Sequence, residues 1–390
     1  MAKYLSGKEL EQRLIRRING YADDVRVLYD DAYGKIIAIV KDTELEDGKP
    51  FTFEAYKYNE RVTPIFRHLY SSVYQVIREG VRKEWLFANA NNDELVKSVF
   101  GDGSISDHHF QRLFLRNKEA MDAFFRRKSP YGGMNLSNKV WEYVGQLKSE
   151  LQNTIDLALG EGIAANRLAT QIQQYLREPD RWYRRFRIKK GVDKDGNPIY
   201  GRIWKRRRVV DGVTQWVNAD PKDYHPGRGV YRSSYRNAQR LARTETNIAY
   251  RSADFERYQQ FDFVVGVEIK LSNNHPITDI CDDLQGKYPK GFKWTGWHPN
   301  CRCYMVPVLA SQDEVEGMLS RIMDGDDTPL TGSVNNVGEI PDVFNRWLAE
   351  NNDRYIEAKQ RGTLPYFIKD NFIEKGGVFT FKGAKPLAKG

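Results

Sequence analysis

A chain of 390 residues with 40% apolar, 13% aromatic and 29% charged residues, 31 Gly and 15 Pro is neither collagenous nor low-complexity nor a disulfide-stapled miniprotein, and it is long enough for two or three domains. Its net charge of +9 is local, because residues 181–208 hold twelve basic side chains against Asp193 and Asp195, and this window alone accounts for the excess. No apolar run approaches the roughly 18 residues that cross a bilayer, and residues 1–13 mix charges without an apolar stretch, so neither a membrane span nor a signal peptide is expected and the chain is placed in a cytosol.

The first third reads as helical. Residues 8–18 form a short amphipathic stretch, and residues 62–87 set Ile65, Leu69, Val73, Ile77, Val81 and Trp85 four apart, the stripe of a helix packed on a core. Residues 89–93 and 101–106 read as polar connections, 107–125 as a further helix and 129–133 as a break. At Leu136, Ser137 and Asn138 a capping side chain opens a helix with Val140, Val144, Leu147, Leu151, Ile155 and Ala158 on one face, ending at Gly160 or Gly162. A second helix is predicted over 166–177, with Leu168, Ile172 and Leu176 buried and Pro179 as its stop. Such a hairpin is read as a packing unit, with a sequence-specific DNA reader as the alternative.

From residue 181 the period changes. Strands are expected over 184–192, 199–210 and 213–217, joined by the turn residues 195–198 and by Asp211-Gly212, which makes a basic three-stranded meander. It carries Arg184, Arg185, Arg187, Lys189, Lys190, Arg202, Lys205, Arg206, Arg207 and Arg208, interleaved with Trp182, Tyr183, Phe186 and Trp204. Cations that neutralise phosphates beside aromatics that stack on bases point to DNA contact without sequence readout. A helix is then expected over 231–261, with Arg228, Arg232, Arg236 and Arg240 at intervals of four and Arg243 beyond. Sharing a face, these could grip phosphates or pair with Glu245, Asp254 and Glu256. Residues 263–270 read as a strand. The fold class is therefore α+β, predominantly helical, with a basic β-meander insertion and a small Cys/His-rich loop subdomain.

All three cysteines, Cys281, Cys301 and Cys303, lie within 23 residues, with His298 three before Cys301 and His275 six before Cys281. Thiolate and imidazole together suit a tetrahedral structural zinc ion, while buried free thiols and a disulfide stand as the alternatives. The Cys-x-Cys spacing is tighter than usual for two ligands of one ion. No H-x-E and no H-E-x-x-H occurs, so deaminase and metalloprotease signatures are absent.

The blocks Arg240-Leu241-Ala242-Arg243-Thr244-Glu245, Asp279-Ile280-Cys281-Asp282-Asp283-Leu284-Gln285-Gly286-Lys287 and His298-Pro299-Asn300-Cys301-Arg302-Cys303 resemble, in order and spacing, the Mu F-like phage head morphogenesis domain. The helix start at Asn135-Leu136-Ser137, the Gly160-Glu161-Gly162 turn and His225-Pro226-Gly227-Arg228-Gly229 also resemble longer members. The resemblance covers roughly 136–309. It implies a minor head (minor capsid) protein of a tailed phage or prophage, portal-associated inside the procapsid and found in the virion interior after assembly in the host cytoplasm. Its partners would be the portal protein, other capsid or scaffold components, and DNA. Many relatives carry Cys-x-x-Cys where this chain has Thr278 and Cys281, which leaves His275 or His298 as the fourth ligand, or no metal.

By this reading residues 1–130 are a helical region facing portal or scaffold, 131–310 the head morphogenesis domain and 311–390 a helical extension and tail. Within the last, 313–323 and 342–364 are predicted helices, 325–338 is a linker and 378–390 a frayed end. The pair Glu314 and Glu316 resembles the acidic dyad of ADP-ribosyl transferases without their supporting Arg and Ser-x-Ser elements. The expected role is structural, with no catalytic residue; the alternative is a metal-dependent nuclease or other enzyme packaged with the genome, in which His298 or Asp279 would activate water at an open metal position.

Overall fold

The computed structural model describes residues 3–41, 51–54, 56–128, 133–160, 183–192, 196, 198–210, 213–218, 233–272, 278–326, 328–330 and 332–383. The fold is α+β and predominantly helical. The chain divides into two compact units, one formed by 1–21, 76–136 and 241–390, the other by 22–75 and 137–240. Segments 1–130 and 131–310 each contribute to both units, whereas 311–390 lies wholly in the first.

The amino-terminal helix α1 spans Gly7–Lys41, much longer than the predicted 8–18. Buried residues continue past Ile18 at Ala22, Val25, Tyr29, Ile36 and Val40, and Asn19 accepts a hydrogen bond from Arg243 Nε at 2.9 Å. Helix α2 spans Asn59–Phe100 and buries Leu69, Val73, Ile77, Val81 and Trp85 as the spacing predicts. It also runs straight through 89–93, so the predicted polar connection is helix. Asn89, Asn92 and Asp93 are buried there: Asn89 donates to Trp85 O, Asn92 donates to Ala88 O and to Asp254 Oδ1, and Asp93 accepts from Arg116 and Arg257.

The single helix expected over 107–125 is two pieces, a 3-10 turn at His108–Phe114 and helix α3 at Lys118–Arg126. Arg257 takes the carbonyls of Leu113 and Leu115, and the Asn117 side chain accepts from Ala120 N to start a new helix. Competing partners for the backbone thus break the run.

In the second unit, helix α4 (Leu136–Gly160) buries Val140, Val144, Leu147, Leu151 and Ile155 along the predicted face. The predicted helix at 166–177 lies outside the described residues. Strands β1 (Tyr183–Val192), β2 (Pro198–Val210) and β3 (Val213–Asn218) form the expected antiparallel meander in the order β1-β2-β3, with Arg184 opposite Lys205, Arg187 opposite Arg202 and Arg207 opposite Trp216.

Helix α5 spans Ser234–Gln260 and leads into β4 (Val264–Lys270), the centre of a second antiparallel sheet flanked by β5 (Gly286–Pro289) and β6 (Tyr304–Leu309). Between β4 and β5 lies one turn of helix, α6 (Ile280–Asp283). The predicted helix at 313–323 is α7 (Gln312–Met323). The predicted 342–364 is two helices, α8 (Asp342–Glu350) and α9 (Asn352–Gln360), parted at Asn351, whose Nδ2 donates back to Trp347 O. Helix α10 (Tyr366–Asn371) then precedes a hairpin of β7 (Phe372–Lys375) and β8 (Val378–Phe381), so the expected frayed end begins with a paired strand. The core of the first unit joins Tyr288, Phe292, Trp294, Trp297, Phe344 and Phe367 to the three cysteines. Each such buried aromatic contributes about 1.5–3 kcal/mol.

Candidate metal centre

The three cysteines converge through local devices on separate stretches of chain. Asp279 caps α6: its Oδ1 accepts from Cys281 N at 2.8 Å while its own N donates to Asp282 Oδ2 at 2.8 Å, a reciprocal capping box that fixes Cys281 in the first turn. Opposite it, Cys301 N donates to His298 O at 3.2 Å, closing a tight turn whose third residue, Asn300, has φ 62°. Asparagine tolerates that left-handed conformation better than most side chains.

Helix α5 brackets this turn from one face. Thr244 Oγ1 accepts from Asn300 N at 3.1 Å, Asn247 Nδ2 donates to Cys301 O at 2.8 Å, and Arg251 donates to the carbonyls of Thr295 (3.1 Å), Cys301 (3.0 Å) and Cys303. The Arg251 guanidinium also stacks 4.3 Å from the centre of the Trp294 ring. A loop buried without such donors would leave three carbonyls unsatisfied, at about 1–3 kcal/mol each. Gly296 stands at the tightest point: its φ is 118°, and a Cβ there would meet Arg251 Nη1 at 2.6 Å.

The Sγ atoms of Cys281, Cys301 and Cys303 lie within 4.8 Å of one another, all three residues are buried, and none forms a disulfide. Cys281 Sγ is 3.8 Å from Cys301 Sγ and 3.1 Å from His298 Nε2. A tetrahedral ion with bonds of about 2.3 Å to sulfur and about 2.0 Å to nitrogen requires edges of about 3.8 Å and about 3.5 Å, so Cys281 stands near ligand spacing from both Cys301 and His298, and both sulfurs of the Cys-x-Cys pair lie within 4.8 Å of it. His298 Nδ1 lies 2.9 Å from Pro299 O; a carbonyl only accepts, so Nδ1 carries the proton and the Nε2 lone pair is left on the side of Cys281 Sγ. Asp279 Oδ2 is 3.3 Å from His298 Nε2 and is the remaining donor at the rim.

The thiols share protons unequally. Burial acts to raise Cys301, but hydrogen bonds from the Cys281 and Cys303 thiols and the Arg251 charge outweigh it and hold Cys301 well below the ordinary thiol range. Cys281 is pushed up by its hydrogen bonds to Cys301 and Cys303 and by burial. Cys303, lowered by Cys281 but raised by Cys301 and by burial, rises to about 12. The contacts that lower Cys301 favour its thiolate, and a cation that displaces the thiol protons completes a set of soft ligands.

Of the residues singled out in the sequence, Cys281, Cys301, Cys303 and His298 meet here, while His275 and Arg232 lie outside the described residues. Lys189 in β1 is exposed and Lys205 in β2 half-buried. Arg236 and Arg240 are half-buried on α5, and the carboxylates suggested as their partners are engaged elsewhere: Glu245 by Arg127 at 2.5 Å, Asp254 by Asn92 and Glu256 by Lys293 at 4.0 Å. The Glu314/Glu316 pair has a structural explanation, because Glu314 accepts from Ser311 N, Ser333 Oγ and Val334 N, which hold its carboxyl well below the usual range. Sequence reasoning missed Asn247 and Arg251, although their spacing of three and seven from Thr244 puts all three on one helix face. A second donor group, Asp107 with His108 and His109, is a helix cap in which Asp107 accepts from His109 N.

No family model, curated protein or solved structure matches this chain. The described residues offer a buried three-cysteine cluster able to bind a metal ion, and no helix among them is long and apolar enough to cross a membrane.

Proposed function

We propose that Cys281, Cys301, Cys303 and His298 hold one structural zinc ion, and that the chain is a non-catalytic head morphogenesis protein of the Mu F-like kind. In this reading it is associated with a portal inside a phage capsid and touches packaged DNA through the basic meander. One observation carries the reading: the three sequence blocks of the resemblance meet at a single point, Thr244 of the first holding Asn300 of the third, and Cys281 of the second lying against Cys301 and His298. Thiolate and imidazole suit zinc, which needs no redox poise. With four protein donors the ion has no position left for substrate, which favours a staple over a catalytic centre.

Elemental analysis of the purified full chain is expected to find one zinc per chain. Replacing Cys301 and Cys303 together by Ser should release the metal and lower the melting temperature, and His298→Ala, with the three sulfurs retained, should weaken zinc retention against a competing chelator by 10-fold or more. A zinc-free wild type that melts with the double variant would reject the staple. Co-purification with a portal ring tests the head assignment, and a chain that never accompanies portal or capsid components would overturn it.

A further inference from the structure

Beside the candidate centre a cavity of about 450 Å³ opens between the His298 turn, the start of α6, and α9 with the loop that follows it. Ile280, Trp297 and Phe367 form apolar wall, while His298, Arg354, Glu357 and Arg361 bring polar groups to it. That volume lies in the range of small-molecule sites, which are apolar with a few placed polar groups.

The polar groups of this wall are of unequal availability. Arg361 is ion-paired with Glu357 one helical turn away, and His298 Nδ1 is engaged by Pro299 O. Thr363 Oγ1 donates to Ala358 O. Arg354 is different: it is exposed, and among the described residues it has neither hydrogen-bond nor ion-pair partner. The indole N–H of Trp297 also lacks a partner, but it is wholly buried and does not meet the cavity. A guanidinium only donates, so a matched ligand must bring acceptors, and the unpaired Arg354 selects a negative charge that presents two oxygens to its parallel N–H groups, as a carboxylate or a phosphate does.

From this we infer that the cavity is a binding site for a small organic anion, a carboxylate or phosphate ester carried on an apolar body, with Arg354 as its charge partner and Trp297 and Phe367 as its apolar wall. The inference does not depend on the metal, since Arg354 lies outside the donor set of the centre. It is also separate from the DNA contact assigned to the meander.

Calorimetric titration of the purified full chain tests it with four probes: 1-naphthoate, dAMP, neutral 1-naphthamide and inorganic phosphate. At least one of the first two is expected to bind with a dissociation constant below 1 mM, and naphthamide and phosphate at least 10-fold more weakly, because each lacks one half of the recognition. Binding of naphthoate alone assigns a carboxylate ligand, and binding of dAMP alone a phosphate ester. Arg354→Gln, an exposed substitution, should weaken the bound anion 10-fold or more while zinc content and melting temperature stay at wild-type values. Failure of both organic anions to bind, equal binding of the neutral amide, or unchanged binding to the Arg354→Gln variant would each overturn the site. Zinc content, measured on the same samples, reports separately on the metal assignment.

Discussion

Gly296 shows how much of the candidate centre depends on one missing atom. With φ at 118° the position favours glycine, and the space a Cβ would fill is taken by Arg251 Nη1 and, at 3.3 Å, by Cys301 Cβ. Gly296→Ala therefore combines backbone strain of about 1–3 kcal/mol with displacement of the guanidinium that satisfies three carbonyls. The expected result is a loss of at least about 2 kcal/mol in denaturant unfolding, with weaker metal retention; an unchanged midpoint would show that the close approach is not needed. The cysteines and His298 were legible as a candidate cluster because soft ligands crowded into 23 residues are a compositional signal. Arg251 was not, because nothing in a residue's identity distinguishes a solvated arginine from one that is 96% buried beneath a loop, as its 4% exposure shows. What makes that burial tolerable is its set of carbonyl partners, which lie 44 to 52 residues away.

Helix α5 raises the same issue for a whole element. Its sequence suggests an arginine stripe that grips phosphates or pairs with Glu245, Asp254 and Glu256; Arg236 and Arg240 of that stripe are half-buried, while Glu245, Thr246, Asn247, Arg251, Asp254 and Arg257 are buried. Its start is held by another buried charge: Glu150 on α4 accepts from Ser234 N at 3.0 Å, from Ser234 Oγ at 2.7 Å and from Gln146 Nε2 at 2.6 Å. Burial nevertheless wins over these hydrogen bonds and raises the Glu150 carboxyl to about 7. Because the folded value lies above the unfolded one, the protonated form is favoured by folding. This contribution is fully present below about pH 4.5 and is lost as pH rises through about 7, a change of roughly 3 kcal/mol at most. Glu150→Gln keeps an acceptor for the helix start and removes the titration. Melting curves at pH 5 and pH 8 should show the variant gaining on the wild type by about 2–3 kcal/mol at the higher pH; a gap that does not move with pH would rule out this linkage. Periodicity located α4, α5 and most of α2, since an apolar stripe is written into neighbouring residues. It failed at 89–93 and at Leu115–Asn117, where polar side chains and carbonyls exchange partners with α5.

At the scale of the whole molecule the charge asymmetry has its own consequence. With the excess cations confined to residues 181–208 on an antiparallel meander, a polyanion-binding role predicts that binding depends on this segment. Neutralising Lys205, Arg206, Arg207 and Arg208 together to Gln should weaken duplex DNA retention equally for unrelated sequences and flatten the slope of log K against log salt by roughly 3. Retention and slope equal to wild type would remove DNA from the proposed function. The predicted meander and its pairing order were readable because alternating residues and turn dipeptides such as Asp211-Gly212 act over a few positions. By itself the amino-acid sequence determined the helical class, the basic strands and the three cysteines with His275 and His298 as the candidate fourth ligand, all properties of short windows or of composition. Only the tertiary structure decided that the sulfurs of Cys281, Cys301 and Cys303 converge with His298 set against Cys281, that α5 turns several of its polar residues inward, and that Arg354 stands unpaired at a cavity. The physical reason is that the convergence of ligands and the satisfaction of buried carbonyls depend on groups brought together from distant positions, whose pairing no local pattern specifies.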